Sequence, residues 1–230
     1  MMPSMNTHQP ESKPPEPSLR MMNCMMMFFS EIAISATHDM KNHLAIINEN
    51  TGLLEDLLHQ DLTRTLAQNR DKKVTETIRR QVERSDQILK KLNRFAHNLA
   101  SENAVTDIET ALILVLDLCS GIIRNHAVEI KIIPPENRIY LGDPPFLLNL
   151  LLFRAVQTSM SAADGDKILT ISFAPALTGP SLRFSMTRVR PGGLDELFTR
   201  REEIELTRFL NVKVNKNIKN GFALEWKKQR

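Results

Sequence analysis

Residues 26–58 read MMFFSEIAISATHDMKNHLAIINENTGLLEDLL, and the spacing of their apolar side chains decides the fold of the N-terminal part of the chain. One row repeats every seventh residue and comprises Met26, Ala33, Met40, Ile47 and Leu54. A second row contains Thr37, Leu44, Thr51 and Leu58. These two rows, called the seam below, predict one long α-helix whose a and d positions include some polar members.

The helical periodicity starts near Leu19 and predicts a helix of about 40 residues, roughly 60 Å long at ~1.5 Å per residue. After a polar stretch at 61–72, where the turn is hard to place, a second amphipathic helix is predicted. Its apolar face consists of Ile78, Val82, Ser85, Leu89, Leu92, Ala96 and Leu99. Two such antiparallel helices expose more apolar surface than they can cover between themselves, which predicts a dimeric four-helix bundle.

After residues 101–106 the pattern changes, and both helices and strands are predicted. Helices are predicted at 108–124, 144–160 and 194–210, and strands at 128–133, 138–141, 168–173, 182–187, 212–218 and 222–227. The predicted fold class is therefore α+β. Residues 1–18 form a proline-rich disordered leader, 19–102 a helical hairpin, and 103–230 an α/β sandwich.

The composition is that of an ordinary globular protein, with 230 residues, 42% hydrophobic, 25% charged and a net charge of +3. Only eight residues are glycine, and no two have G-x-G spacing, which excludes a P-loop or a dinucleotide fingerprint. Two cysteines are too few for a disulfide scaffold or a cysteine-based zinc site. We therefore expect no metal site in this chain.

The net positive charge is concentrated at 200–230, where nine Lys and Arg face four Glu. Few aromatic residues lie among these charges and the segment has no nucleic-acid motif, so the pattern favours a solvated surface over a nucleic-acid site.

No window reaches about 18 uninterrupted apolar residues, so no membrane span is expected. The apolar run at 21–36 follows a proline-rich leader and contains Glu31, which is atypical of a signal peptide. A cytoplasmic protein is the expectation.

The residues that carry chemistry lie within the long helix, at 37–44. His38 is about 200° around the helix from Met40 and is therefore predicted to face solvent. Asp39 is adjacent and Asn42 is one turn further on, so a carboxylate and an amide flank the imidazole. A carboxylate can fix the tautomer of an attacking imidazole and support its charge. The alternative interpretation is that His38 is one of six histidines on a wet helix face.

The segment resembles the H-box of sensor histidine kinases, usually His-(Glu/Asp)-x-x-(Asn/Thr)-Pro-Leu. His38, Asp39, Asn42 and Leu44 match this pattern, and His43 stands in place of the proline. The resemblance implies that two hairpins pair into a dimerisation and phosphotransfer bundle. His38 would then carry a phosphoryl group as a phosphoramidate and exchange it with an aspartate of a response-regulator receiver domain.

In that family Asp39 would assist the imidazole, and Asn42 would also serve a phosphatase activity by orienting a water. His43 is the competing phosphoacceptor, but it lies about 140° around the helix from His38 and ranks below it. The partners implied are a second copy of the chain and receiver domains, with a hybrid histidine kinase as a further candidate. We expect a receiver to dock around His38, on a face that includes Lys41, Ala45 and Glu49.

The second domain resembles the ATP-binding domain of the same kinases, with departures at its nucleotide boxes. Arg154 stands where the N-box has the asparagine that holds Mg²⁺, and an arginine repels a cation. Arg188 and Arg190 replace the acid and the first glycine of the Asp-x-Gly-x-Gly box, and the glycine-rich lid is missing between 194 and 212. The three arginines are interpreted as surface or salt-bridge residues in preference to a new anion site.

These departures imply a histidine phosphotransferase that uses no ATP and binds no cofactor, with Mg²⁺ needed only in the partner receiver domain. Two alternatives stay open. One is a kinase with a divergent ATP site or a receiver phosphatase, and the other is a non-catalytic pseudokinase scaffold that binds a regulator.

Overall fold

The computed structural model describes residues 17–59, 64–99, 105–176 and 179–227. Helix α1 (Leu19–His59) has 41 residues and α2 (Arg64–Asn98) has 35, so the prediction of two long helices is confirmed. They are antiparallel, because Phe28 contacts Phe95 near one end and His43 contacts Gln81 nearer the other. The connecting residues 60–63 and most of the predicted leader lie outside the described residues.

The face of α1 that packs inside the protein is not the seam. The buried residues of α1 include Met21, Phe28 and Ile32, whereas Met26 and Leu44 of the seam are 69% and 55% exposed. On α2, Val82 and Leu89 are also exposed. The hairpin therefore makes its fully buried contacts on a different helix face, while Ala33, Met40, Ile47 and Leu54 of the seam are half-buried and Met26 and Leu44 stay exposed.

Residues 105–227 form a mixed sheet covered by helices, which confirms the α+β class. Its helices are α3 (Ile108–Leu118), α4 (Ser120–His126), α5 (Pro145–Ala162) and α6 (Arg201–Phe209). Its strands are β1 (Thr106–Asp107), β2 (Glu129–Ile133), β3 (Tyr140–Leu141), β4 (Ile168–Ala176), β5 (Gly179–Met186), β6 (Val212–Ile218) and β7 (Gly221–Trp226). The main sheet has the order β2-β4-β5-β7-β6, with β2 parallel to β4 and the other pairs antiparallel.

The single helix predicted at 108–124 is wrong, since the structure divides it at Cys119. The ψ of Cys119 is 8°, far from the roughly −42° of an α-helix, so the axis bends there. Cys119 nevertheless donates its amide to Val115 and accepts from Ile123, which keeps the two helices continuous in hydrogen bonding. The bend directs Ser120 and Arg124 of α4 towards α1.

The helix predicted at 194–210 is correct only from Arg201 onwards. Residues 191–198 form turns, in which Gly192 and Phe198 adopt left-handed backbone conformations with φ of 71° and 51°. A left-handed residue interrupts a right-handed helix, and here it allows the Phe198 ring to be buried. Helix α6 then starts where the Arg200 amide donates to the carboxylate of Glu203.

The hairpin and the α/β domain share one hydrophobic core. Phe28 of α1 lies within 5.4 Å, ring centre to ring centre, of Phe95 of α2 and of Phe146 and Phe153 of α5. All four rings are buried. Because this aromatic cluster joins three helices from both parts of the chain, it fixes the N-terminal part of α1 against the α/β domain.

A buried carboxyl in this domain predicts a specific pH dependence of stability. Asp143 accepts a hydrogen bond from Nε1 of Trp226 at 3.0 Å, and burial raises the pKa of Asp143 while that bond opposes the rise. A raised pKa means that the folded protein keeps this proton to a higher pH than the unfolded chain does. The free energy of unfolding therefore falls as the pH rises above about 3.8, the ordinary value for aspartate.

We expect Asp143→Asn to lose this fall, because asparagine cannot ionise and still offers Trp226 an acceptor oxygen. The variant should be at least as stable as the wild type at pH 7. Urea unfolding of both proteins at pH 4 and pH 7 measures the difference. If the unfolding free energy changes by the same amount between pH 4 and pH 7 in both proteins, the prediction is contradicted.

Candidate functional site

His38 lies in the middle of α1, and its side chain is 71% exposed, as the helical spacing predicts. The side-chain nitrogen of Asn42 is 3.4 Å from its Nδ1, and Oδ1 of Asp39 is 3.9 Å from the same nitrogen. Rotating the Asn42 amide by 180° would place its oxygen beside Nδ1 in place of the nitrogen, so Asn42 can pair with either tautomer of His38. Since both neighbours lie at Nδ1, the Nε2 nitrogen is the one open to an incoming group.

Asp39 is not the exposed carboxylate that its neighbour His38 suggests. It is only 9% exposed and is held by α4 of the α/β domain. Nη2 of Arg124 donates to its Oδ1 at 2.7 Å, and Oγ of Ser120 donates to its Oδ2 at 3.1 Å. A carboxylate that is withdrawn from water needs such partners, because burial of an unpaired charge is costly. The α/β domain therefore anchors the acid that stands beside His38.

Helix α4 packs against α1 with a glycine, Gly121, at the contact. A Cβ on Gly121 would lie 3.4 Å from Oγ of Ser35 and 3.5 Å from Oδ1 of Asp39. Both distances are ordinary van der Waals contacts, so the space is full once a methyl group is added. A side chain larger than alanine would push α4 away and lengthen the bonds of Ser120 and Arg124 to Asp39.

Two clefts lie on either side of Asp39. The first, of about 430 Å³, is called the His38 groove and is lined by Glu31, Ile34, Ser35, His38, Asn42, Gly121, Ile122, Arg124 and Asn125. The second, of about 470 Å³, lies between the hairpin and helices α3 and α4 and is lined by His43, Gln81, Arg84 and Lys91 among others. His38 therefore opens into one cleft and His43 into the other.

The surroundings of His43 differ from those of His38. Its Nδ1 lies 2.7 Å from Oε1 of Gln81, a buried residue of α2, and its side chain is half-buried between the helices. The expected docking residues Lys41, Ala45 and Glu49 are all exposed. At about 100° per residue they lie within roughly 60° of His38 around α1. The His38 side of α1 is thus the more accessible of the two.

The three arginines of the altered nucleotide boxes lie in different surroundings. Arg188 and Arg190 are exposed, as expected for surface residues. Arg154 is half-buried on α5, so its interpretation as a surface residue is wrong. Its Nη1 donates to Gln157 at 2.9 Å and its Nη2 contacts Sγ of Cys24 at 3.4 Å, so Arg154 belongs to the contact between α5 and α1.

The sequence did not point to Ser120 or Arg124 as residues of this site. They are 81 and 85 positions away from Asp39, and nothing in the sequence pairs them with the H-box. The available signal is weak: a polar residue and a basic residue four apart, at the end of an apolar helix. Their role depends on the bend at Cys119, which the periodicity did not predict.

Across the residues that the structure describes, no cluster of three or more His, Cys, Asp or Glu side chains could hold a metal ion. None of the helices in the same residues is both long and apolar enough to span a membrane.

Comparisons with known proteins return structures but no sequence relatives. No protein-family profile and no curated protein matches the chain. Solved structures that are similar include the histidine kinase AdeS of Acinetobacter baumannii, at 12% identity over 83% of this chain and 97% of that one, with a TM-score of 0.44. A bacterial phosphotransferase is 15% identical over 93% of this chain and all of the other, with a TM-score of 0.46.

A third similar structure is the cytoplasmic segment of the histidine kinase QseC, at 13% identity over 64% of this chain and 95% of that one, with a TM-score of 0.41. The structures found thus include histidine kinases, the class that the H-box resembles. At these identities and TM-scores the similarity concerns the arrangement of the elements alone. The chemistry of the site rests on its own residues.

Proposed function

We propose that the protein is a histidine phosphotransferase of two-component signalling, which carries a phosphoryl group on His38 and exchanges it with receiver-domain aspartates. The observation that carries the proposal is the environment of His38: an exposed imidazole with Nε2 open, and with the anchored Asp39 and Asn42 at Nδ1. An isolated surface histidine needs no buried carboxylate fixed beside it by another domain. A hybrid histidine kinase is a candidate source of the phosphoryl group, through its receiver domain.

The proposed step is a direct transfer between an acyl phosphate and an imidazole. The lone pair of Nε2 attacks the phosphorus of a receiver aspartyl phosphate, so that the P–N bond forms, the P–O bond breaks, and the receiver aspartate leaves as a carboxylate. The imidazole gains positive charge, which the Asp39 carboxylate at Nδ1 stabilises. The reverse reaction delivers the phosphoryl group to a second receiver. Mg²⁺ in the receiver supplies charge neutralisation, and this chain's residues hold and orient the imidazole.

The experiment that tests the proposal is transfer from a panel of receivers bearing ³²P on their aspartate. We expect label to appear on the protein and to be acid-labile and base-stable, as for a phosphoramidate. A complete absence of transfer from every phosphorylated receiver overturns the proposal. Label that appears on incubation with Mg-ATP alone favours the alternative of a kinase with a divergent ATP site.

Transfer without ATP is part of the proposal and has its own support. Arg154, at the position of the expected Mg²⁺-binding asparagine, places its guanidinium against Gln157 and Cys24. Its position is therefore occupied by a cation that is committed to the α1 contact. Titration with Mg-ATP, followed by calorimetry, should give no heat of binding at millimolar nucleotide, and saturable binding there contradicts this part of the proposal.

A homodimer is proposed because the exposed rows of both helices lie on the same side of the hairpin. On each helix the exposed apolar residues lie roughly 100° around the axis from the face that packs against the other helix, and the rotation has the same sense on both helices. Since the helices are antiparallel, equal rotations direct the two rows to the same side. A second hairpin would cover Met26, Leu44, Val82 and Leu89 and complete a four-helix bundle.

The double variant Met26→Glu and Leu44→Glu is expected to be monomeric, because two charges would be buried in the proposed interface on each subunit. Light scattering after size-exclusion chromatography measures the mass. Ile34→Glu is the matched control, since Ile34 is exposed on the same helix but lies about 80° around it from Met26 and Leu44. A monomeric wild type, or an unchanged dimer in the double variant, contradicts this interface.

A further inference from the structure

Arg124 lies in the α/β domain, yet it contacts the carboxylate that stands beside His38. We propose that Arg124 is a positioning residue for phosphotransfer: it holds Asp39 so that the carboxylate faces Nδ1 of His38. The inference rests on the proposed function and extends it, because it makes the α/β domain a part of the phosphotransfer site. It also gives this domain a role that requires no nucleotide.

One carboxylate oxygen of Asp39 lies between the guanidinium of Arg124 and the imidazole of His38. Oδ1 of Asp39 is 2.7 Å from Nη2 of Arg124 and 3.9 Å from Nδ1 of His38. Oγ of Ser120 holds the other oxygen, Oδ2, at 3.1 Å. With both oxygens bound from α4, the carboxyl group has a fixed orientation, in which Oδ1 is the oxygen directed at the imidazole. A short movement of the His38 ring would complete its hydrogen bond with Asp39.

Burial explains why this position of Asp39 needs Arg124. The side chain of Asp39 is only 12% exposed, and the guanidinium of Arg124 is its closest cationic partner at 2.7 Å. Lys91, which lines the neighbouring cleft, is already paired with Asp117 at 2.8 Å. Without Arg124 the carboxylate would be poorly compensated, and rotation towards water would take it away from His38.

Arg124 is also accessible from the His38 groove. Its side chain is 62% exposed, although one of its nitrogens is bound to Asp39. His38 and Arg124 line the same groove of about 430 Å³. A partner that reaches His38 therefore meets a surface to which both parts of the chain contribute.

The test is single-turnover transfer from a phosphorylated receiver that labels the wild type, at increasing receiver concentration. We expect Arg124→Gln to lower the limiting rate by between tenfold and about a hundredfold, as for a displaced catalytic geometry. The receiver concentration at half-saturation should change less than the limiting rate, because the docking residues of α1 remain even though Arg124 also lines the groove. Arg124→Lys should restore part of the rate, since it keeps a cation opposite Asp39 but loses the planar geometry of the guanidinium.

A double-mutant cycle shows whether Arg124 acts through Asp39. If it does, Asp39→Asn lowers the rate by a similar factor, and adding Arg124→Gln to it lowers the rate little further. Multiplicative losses in the double variant contradict the proposal. Arg183→Gln is the matched control, because Arg183 is an exposed arginine of the same domain on β5 and lies outside both clefts.

A spectroscopic measurement separates positioning from a general loss of structure. In protein labelled with ¹⁵N-histidine, we expect Arg124→Gln and Asp39→Asn to reduce the share of His38 that carries its proton on Nδ1. The signal of His43, whose Nδ1 contacts Gln81, should not change and serves as an internal control. An Arg124→Gln protein with wild-type transfer rate and an unchanged His38 spectrum overturns the inference. Absence of transfer in the wild type overturns the proposed function instead.

Discussion

His38→Ala is expected to abolish the acquisition of a phosphoryl group from phosphorylated receivers, with a loss of at least about a hundredfold in the rate. The reason is that the variant has no nitrogen nucleophile at the open position beside Asp39 and Asn42. His43 is not expected to substitute, because its side chain is half-buried between the helices and its ring lies in the other cleft. The measurement is the time course of ³²P transfer from a receiver that labels the wild type.

The matched control is His43→Ala, which removes an imidazole from the same helix five residues away. We expect this variant to be labelled at close to the wild-type rate. Labelling that survives in His38→Ala and disappears in His43→Ala would reassign the phosphoacceptor to His43. Labelling equal to the wild type in both variants would show that neither histidine carries the group.

The same variant distinguishes the scaffold alternative. A non-catalytic scaffold predicts that His38→Ala binds its regulator and supports the cellular output as the wild type does. A phosphotransferase predicts that binding survives while the output is lost. Binding to an unphosphorylated receiver and the output of the regulated pathway therefore have to be measured side by side.

Phe28→Ala is expected to lower the free energy of unfolding by about 3–5 kcal/mol, the usual cost of truncating a fully buried phenylalanine. Phe28 is 1% exposed and contacts Phe95, Phe146 and Phe153, so its removal leaves a cavity where α1, α2 and α5 meet. The rings around it are supported from several sides and can collapse only partly into the space. Equilibrium unfolding in urea, followed by circular dichroism, measures the change.

Met27→Ala is the control for this substitution, because Met27 is the preceding residue of α1 and is exposed. Its truncation is expected to change the unfolding free energy by less than about 0.5 kcal/mol, as is usual for surface positions. If the two variants lose equal stability, Phe28 is not a core residue and the shared core is incorrect. If Phe28→Ala unfolds only α1 and leaves the sheet intact, the two parts of the chain do not share one cooperative core.

The local features of the first half of the chain could be predicted from the sequence. A seven-residue apolar repeat without proline is enough to specify a 41-residue helix, because every hydrogen bond of a helix is made within four residues. The exposure of His38 followed from the same periodicity. The strand pairs around residues 179 and 219 could also be located, since each combines two apolar runs with a short turn.

The failures of the sequence predictions have a common cause. The end of α3 at Leu118 and the late start of α6 are set by what the flanking residues contact, since neither proline nor glycine stands at Cys119 itself. The seam of α1 is apolar, but apolar spacing alone does not say which of two apolar faces packs inside the chain. Arg154 has a charge that suggests the surface, yet its stem and guanidinium lie against α1.

The sequence by itself determined the long helices, the exposed position of His38 and the identity of its neighbours Asp39 and Asn42, because these follow from intervals of four residues or fewer. Only the tertiary structure decided that Asp39 is buried and that Ser120 and Arg124 hold it. Those contacts join residues more than 80 positions apart, and they exist because a bend at Cys119 and an aromatic core around Phe28 place α4 against α1. A pattern along the chain records which side chains are available, whereas the packing of the whole domain selects the ones that meet.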